Sequence, residues 1–242
     1  MCRLILASGR FQARDILEGA VAMAVGQTAR HDSPLLYHPD GWGAVWRDST
    51  SPSGISMVRD PRPAEVTALG SDLARVQTDF LAVHVRRASL STTRGSAYTH
   101  PLQRQSDGWH FMHNGSQPTV YQLLGRERSH FDSAEYFDYI IPPGSEALDE
   151  EETLARLRAI PTPGANSGNA IAVSPDRAYL IHWRADVRMW PRYFTMQEYT
   201  EPGLRVVASE IIPTIAPVNR WKAVPIDRVI EFRFDTARRL AS

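Results

Sequence analysis

Cys2 is the only cysteine among 242 residues. If Met1 is removed, this residue carries both a thiol and a free α-amino group. That pairing places a nucleophile and a base on one residue. A free α-amine titrates at roughly 7.7–8.0, so near neutrality much of it accepts a proton. The thiol is then activated without a histidine. Most unpaired cysteines are small buried hydrophobes, so position two gains its meaning from the residues that accompany it.

Three further segments carry residue types suited to chemistry. In His38-Pro39-Asp40-Gly41-Trp42-Gly43, two glycines flank a large ring. They permit a tight turn that sets Trp42 beside a cleft, although Asp-Gly in a plain hairpin gives the same pattern. In His84-Val85-Arg86-Arg87-Ala88-Ser89, two arginines end an apolar run. Neighbouring strand residues face opposite ways, so one arginine points into a given pocket. There its guanidinium fork matches a carboxylate in bidentate geometry. Alternation leaves open which of Arg86 and Arg87 takes that role. The third segment is Thr99-His100-Pro101 followed by Trp109-His110-Phe111-Met112-His113-Asn114-Gly115. Asn-Gly is a common turn. Its chemical alternative is an oxyanion hole, with a side-chain amide and a backbone N–H aimed at one oxygen. The histidine spacing matches no standard zinc pattern, so no metal is expected.

Elements must position these residues. Leu4 to Ala7 reads as a buried strand, and apolar residues at helical spacing predict a helix over 13–26. Strands are predicted at Ala44–Trp46, Ile55–Val58, Phe80–Val85 and Trp109–His113, with a helix over Pro63–Val76. Asp132 and Ser133 are N-cap types ahead of Tyr136, Phe137 and Ile140, and a further helix spans Asp149–Ile160. Ala170–Val173 and Tyr179–Trp183 form a hairpin. Leu204–Ala208 and Val229–Phe234 are the last strands. Strands cluster with no repeated βαβ alternation, which favours α+β or stacked sheets.

Composition bounds the rest. Twenty-seven basic residues balance 27 acidic ones, and Lys222 is the only lysine. Balanced charge without a basic run argues against a nucleic-acid partner. No apolar run reaches membrane-spanning length, and the N-terminus lacks the pattern of a signal peptide. One cysteine excludes an internal disulfide. The expectation is a cytoplasmic protein with one domain over 1–242.

Taken in order, Met1-Cys2-Arg3-Leu4, the Asp40-Gly41-Trp42-Gly43 loop, His84-Val85-Arg86, Thr99-His100-Pro101, His113-Asn114-Gly115 and Asp132-Ser133-Ala134-Glu135 resemble the class II glutamine amidotransferases, which are N-terminal-nucleophile hydrolases. Val207-Ala208-Ser209-Glu210 with Trp221 and Pro225 is similar to the family's closing pattern. The likeness is to stand-alone members, among them the γ-glutamyl hydrolase of ergothioneine biosynthesis. It implies a four-layer αββα sandwich of two stacked antiparallel sheets and needs no cofactor. It also implies roles. Cys2 is the nucleophile, Asn114 and Gly115 form the oxyanion hole, Arg86 binds the substrate α-carboxylate and Asp132 its α-ammonium. His100 and Trp42 shape the pocket.

The expected reaction is hydrolysis of the γ-amide of glutamine, or of a γ-glutamyl conjugate, through a thioester on Cys2. No synthase segment follows in this chain, so an alternative is a glutaminase subunit that supplies ammonia to a separate synthase partner. A third reading is a non-catalytic binding subunit, against which the full set from Cys2 to Asp132 argues. Leu90 stands where many synthase-linked members carry histidine, a departure beside the expected glutamine pocket.

Overall fold

The computed structural model describes residues 1–234. Its strands are β1 (Arg3–Gly9), β2 (Trp42–Arg47), β3 (Ile55–Asp60), β4 (Phe80–Val85), β5 (Leu102–Arg104), β6 (Trp109–Gly115), β7 (Gly168–Ser174), β8 (Arg177–His182), β9 (Gln197–Glu201), β10 (Leu204–Ala208), β11 (Lys222–Ala223) and β12 (Arg228–Arg233). They form two sheets, ordered β11-β9-β10-β1-β4-β2-β3 and β12-β8-β7-β6-β5. Every strand pair described is antiparallel. The helices are α1 (Ala13–Ala24), α2 (Ala64–Thr67), α3 (Val120–Leu123), α4 (Asp132–Ile140), α5 (Glu150–Ala159) and α6 (Pro191–Phe194).

Alternation along the strands builds the layers. Leu4, Leu6, Val45, Phe80 and Ala82 of the first sheet pack against Met112, Ile171, Val173, Ala178 and Leu180 of the second. The intervening residues turn outward. Ile5, Ala7, Leu81 and Val83 meet Ile16, Leu17, Ala20 and Met23 of α1. On the other side, Phe111, Ala170, Ala172 and Ile181 meet Tyr136, Phe137 and Ile140 of α4 and Leu154 and Leu157 of α5. The fold is therefore α+β, with two stacked antiparallel sheets between helical layers. Period-2 burial on both faces is what lets such short strands hold two interfaces at once.

The segment Pro63–Val76 departs from the single helix its sequence predicts. Helix α2 stops at Thr67, and a separate 3₁₀ turn spans Asp72–Arg75. Gly70 and Ser71 lie between them, two residues that favour irregular backbone over helix continuation. The apolar spacing is met by two short pieces instead, which bury Ala64 and Leu73. Strands β5, β9 and β11 and helices α3 and α6 carry too little periodicity to have been read from sequence.

The start of β1 is locked by charge. Arg3 is fully buried, with Nε 2.9 Å from Glu210 Oε1. Its Nη1 donates to the Tyr193 carbonyl at 2.8 Å, and its guanidinium carbon lies 3.3 Å above the Tyr193 ring centre. Glu210 also accepts the Thr28 hydroxyl and faces His31 Nε2 at 3.4 Å. Next to it, Ser209 Oγ accepts the Leu4 N–H at 2.9 Å. Removing one partner of a buried pair leaves an uncompensated charge, so Glu210→Ala should cost about 3–5 kcal/mol. Glu18→Ala breaks only the exposed Arg14–Glu18 pair and should cost about 0.5 kcal/mol or less. Urea unfolding midpoints measure both, and equal shifts would overturn the distinction.

Candidate active site

Sheet geometry brings Cys2 and Asn114 together. Cys2 continues the inward-facing parity of Leu4 and Leu6, and Asn114 that of Met112. Each lies at the end of its strand, on opposed sheets. The backbone N–H of Cys2 donates to Asn114 Oδ1 at 2.8 Å. Asn114 is fully buried, and its Nδ2 has no partner among the described residues. That donor is free for an oxygen that arrives at Cys2. Gly115, next in line, is compelled to be glycine. A Cβ there would lie 1.7 Å from the Ser167 carbonyl oxygen on the neighbouring chain segment.

A cavity of about 400 Å³ opens at this junction, lined by Cys2, Arg86, His100, His113, Gly115, Phe131 and Asp132 among others. Arg86 is 4% exposed. Its Nη2 donates to Thr93 Oγ1 at 3.4 Å, while Nη1 has no partner among the described residues. Asp132 opens α4, and its Oδ2 accepts the Gln117 N–H at 2.6 Å. One fixed cation and one fixed anion thus face the same cavity. Arg87 takes a different course, with Nη1 donating to the Tyr37 carbonyl at 3.0 Å. Its own carbonyl accepts the Met1 amino group at 2.8 Å and lies 3.9 Å from Cys2 Sγ.

Histidines form the floor. The His84 Nε2 lies 3.2 Å from the His113 carbonyl, and the His84 and His100 rings are 4.3 Å apart. Neither ring nitrogen of His100 has a partner among the described residues. Burial, reinforced by His84, His113 and Arg86, holds His100 well below the usual imidazole range and keeps it neutral. His113 is also pushed down by burial, and it is bound between Ser133 Oγ at 3.0 Å and the Ser167 carbonyl at 3.1 Å. Burial alone would raise the Cys2 thiol. The amino terminus, His84 and Arg86 outweigh it and pull Cys2 well below the ordinary thiol value.

Trp42 does not belong to this cavity, and the expectation that it shapes the pocket is corrected. It pairs with Val85 in the β2–β4 register and so shares the outer face, where it packs in the core beneath α1. Its Nε1 donates to Thr67 Oγ1 at 2.8 Å. The contribution of that loop lies in its other residues. A Cβ on Gly43 would lie 2.1 Å from the His100 carbonyl oxygen, so glycine there admits the His100 backbone. The Asp40 N–H donates to the Arg86 carbonyl at 2.9 Å, and the Arg86 N–H to the Gly41 carbonyl at 2.8 Å. The Asp40 carboxylate accepts the Ala88 N–H and pairs with Arg94. Asp40 therefore fixes the loop that carries Arg86. Phe131, whose ring lies 5.9 Å from the Arg86 guanidinium, also escaped sequence reasoning, because a lone aromatic ahead of a helix carries no signal.

A larger cavity, of about 700 Å³, lies at the other end of β1 around Gly9, Arg10 and Asp15, and none of the candidate residues lines it.

Residues 21–131 match the family model of class-II glutamine amidotransferases. The chain resembles that family. The matched stretch spans Asp40, Arg86, His100, Asn114 and Gly115. No curated protein sequence matches the chain. Among solved structures, it is similar to a glutamine phosphoribosylpyrophosphate amidotransferase from B. subtilis complexed with ADP and GMP. That match has a TM-score of 0.62 and 15% identity, covering 97% of this chain and 50% of the other. The allosteric regulatory enzyme of purine biosynthesis gives a TM-score of 0.62 at 15% identity, over 97% of this chain and 49% of that one. A glutamine aminotransferase class-II domain protein from Silicibacter pomeroyi gives 0.55 at 16% identity, over 97% of this chain and 100% of its own. The chain thus spans about half the length of the first two. The likeness establishes the shared fold.

The depressed Cys2 thiol has a direct readout. The thiolate is the species that alkylates, so the iodoacetamide reaction should reach half its maximal rate below pH 8.5, the value for an ordinary thiol at about 25 °C. Arg86→Gln removes one of the charges that stabilise the thiolate and should move that midpoint upward. A midpoint at or above the ordinary thiol value, unmoved by Arg86→Gln, would contradict the electrostatic account.

Proposed function

We propose that this protein is an amidohydrolase that cleaves the γ-amide of glutamine or a γ-glutamyl conjugate, with Cys2 as an N-terminal nucleophile. The observation that carries the reading is the Cys2–Asn114 contact, with the unpartnered Asn114 Nδ2 beside it. The Arg86–Asp132 pair in the same cavity supports it. A γ-glutamyl head group is a zwitterion, and a pocket that selects it needs one fixed cation and one fixed anion.

In this reading, removal of Met1 leaves the Cys2 α-amine where its amide N–H now meets Asn114 Oδ1. The neutral amine takes the thiol proton. The thiolate adds to the side-chain carbonyl carbon, and the π electrons move onto oxygen. Asn114 Nδ2 and the Gly115 N–H stabilise that oxyanion. As the tetrahedral species collapses, the C–N bond breaks and the α-ammonium gives its proton to the leaving nitrogen. A γ-glutamyl thioester remains on Cys2. Water, deprotonated by the amine, adds to the thioester carbonyl. Collapse then expels the thiolate, the sulfur regains the proton, and glutamate departs. Arg86 holds the α-carboxylate throughout and Asp132 the α-ammonium. His100, neutral and unpartnered, offers a hydrogen bond from the cavity wall.

The cavity volume falls within the range of pockets that hold drug-sized ligands, which exceeds the needs of a glutaminyl group and favours a conjugate as substrate. An ammonia-supplying glutaminase is the second reading. It is favoured by the family match and by the phosphoribosylpyrophosphate amidotransferase structure, which is about twice the length of this chain.

Cys2→Ala should abolish glutamate release with the melting temperature retained. Intact mass should show the active protein starting at Cys2. Substantial turnover by Cys2→Ala, or full activity in protein that keeps Met1, would sink the nucleophile assignment. Asn114→Ala should lower kcat on the order of 100- to 1,000-fold, with a smaller change in KM. Arg86→Ala or Asp132→Asn should instead weaken substrate binding by about one to two decades, the loss of one charge-assisted contact. A purely structural Asn114 would show lost stability with near-normal turnover.

A further inference from the structure

His38 begins the loop whose Asp40 and Gly43 serve the site, and its side chain leads to Cys2 by a route outside the cavity. His38 and Tyr193 are both fully buried, and neither lines the cavity. His38 Nε2 lies 3.2 Å from the Tyr193 hydroxyl, which in turn lies 3.5 Å from the Cys2 carbonyl oxygen. A carbonyl only accepts, so the hydroxyl directs its proton at Cys2, and His38 must supply Nε2–H to the phenol oxygen. Burial, reinforced by Arg3, the amino terminus, Arg87 and His31, pulls His38 down to about 2. It therefore stays neutral, and its Nδ1 has no partner among the described residues. Burial raises the Tyr193 phenol, which keeps its proton.

Tyr193 is itself held from several sides. The Asp32 carboxylate accepts the N–H groups of Arg192 at 3.3 Å and Tyr193 at 3.2 Å. The Arg3 guanidinium covers the ring and bonds the Tyr193 carbonyl, and the His31 ring meets it edge to face at 4.8 Å. The hydroxyl is thus a fixed point, whereas a chain terminus frays unless it is tied down. Removal of Met1 takes away the bonds its amino group makes to the Arg87 carbonyl and Ser89 Oγ. What then grips Cys2 on either side of its Cα is Asn114 at the nitrogen and Tyr193 at the carbonyl. That carbonyl shares the rigid plane of the Cys2–Arg3 peptide. A group bonded to it fixes the frame from which the amine and the thiol are aimed. The contact is long, as catalytic hydrogen bonds often are before substrate binds.

We propose that Tyr193 is a positioning residue for the reaction: its hydroxyl, oriented by His38, holds the Cys2 carbonyl so that the thiol meets the scissile carbon and the amine meets the proton it must move. The proposal rests on the Cys2 nucleophile reading above. Neither Tyr193 nor His38 touches substrate, so both act on the rate of the chemistry and not on binding.

The test uses protein freed of Met1, with glutamine and γ-glutamyl-p-nitroanilide as substrates and an electrophilic glutamine analogue to count live Cys2 sites. Tyr193→Phe keeps the ring under Arg3 and the main-chain bonds and removes one oxygen. It should lower kcat per live site about three- to tenfold, the scale of one hydrogen bond, and leave KM near its wild-type value. His38→Leu should cause a similar fall. His38→Gln, whose amide N–H can replace Nε2–H, should cause a smaller one. Adding His38→Leu to Tyr193→Phe should change little, because His38 acts through the hydroxyl. Full kcat per live site in Tyr193→Phe, with or without a lower count of live sites, would mark a purely structural residue and overturn the proposal. A raised KM with kcat retained would overturn it as well. Should His38→Leu fail to fold, Tyr193→Phe decides alone. If the wild-type protein releases glutamate from neither substrate, or Cys2→Ala retains turnover, the nucleophile reading itself falls, and this inference with it.

Discussion

The hydrogen bond from the Cys2 N–H to Asn114 Oδ1 ties the two sheets together at the point where chemistry is expected. Stacked sheets stand about 10 Å apart, so a contact between residues on opposing strands requires both strands to end together with the right parity. Shift either strand by one residue and the pair separates, because every side chain moves to the other face. The surroundings hold that register from both sides. Arg3 and Glu210 fix β1 on the outer face, and the close approach of Gly115 to Ser167 fixes β6 beside β7. The position of a single thiol is thus set by two sheets rather than by a local turn.

The cavity beside that junction is costly to keep. Asn114 Nδ2, Arg86 Nη1 and both His100 nitrogens are buried without partners among the described residues. Each such group forfeits about 1–3 kcal/mol relative to a satisfied one. Other buried polar groups are bonded, as with His113 between Ser133 and Ser167 or Asn169 on the Phe194 carbonyl, while Trp46 Nε1, His110 Nδ1 and Arg184 Nε also lack a partner among the described residues. Unsatisfied donors beside Cys2 fit the proposed preorganised site, in which local stability is exchanged for directed polarity.

Much of this was legible in the residue order. Cys2, Arg86, Asn114 and Asp132 stood out through the order and spacing of motifs that resemble a known family, and that resemblance, not alternation alone, singled out Arg86 over Arg87. Grouped strands without βαβ alternation pointed to α+β or stacked sheets, and the family resemblance supplied the layered sandwich. What failed was orientation inside a motif. Trp42 is the most conspicuous residue of its loop, yet the β2–β4 register turns it outward, while the small Gly43 and the modest Asp40 serve the site. The Arg3–Glu210 pair was invisible because its members lie at opposite ends of the sequence, and only pairing of β1 with β10 makes them neighbours. The helix expected over 63–76 failed because apolar spacing does not register that Gly70 interrupts it.

The place of β1 within its sheet has a consequence for how the molecule is made. β1 leaves the ribosome before the other described strands, yet it lies between β4 and β10, with Ile5 opposite both Val83 and Ala208. Its second edge therefore stays open until almost all the described chain has been synthesised. Contacts this distant in sequence slow folding, because loop closure must precede any gain from pairing. During that interval the apolar strand Leu4–Ala7 presents an unpaired edge, the kind of segment that chaperones cover and that aggregates when left bare. The residue expected to act first in catalysis is among the last to reach its finished surroundings during biosynthesis.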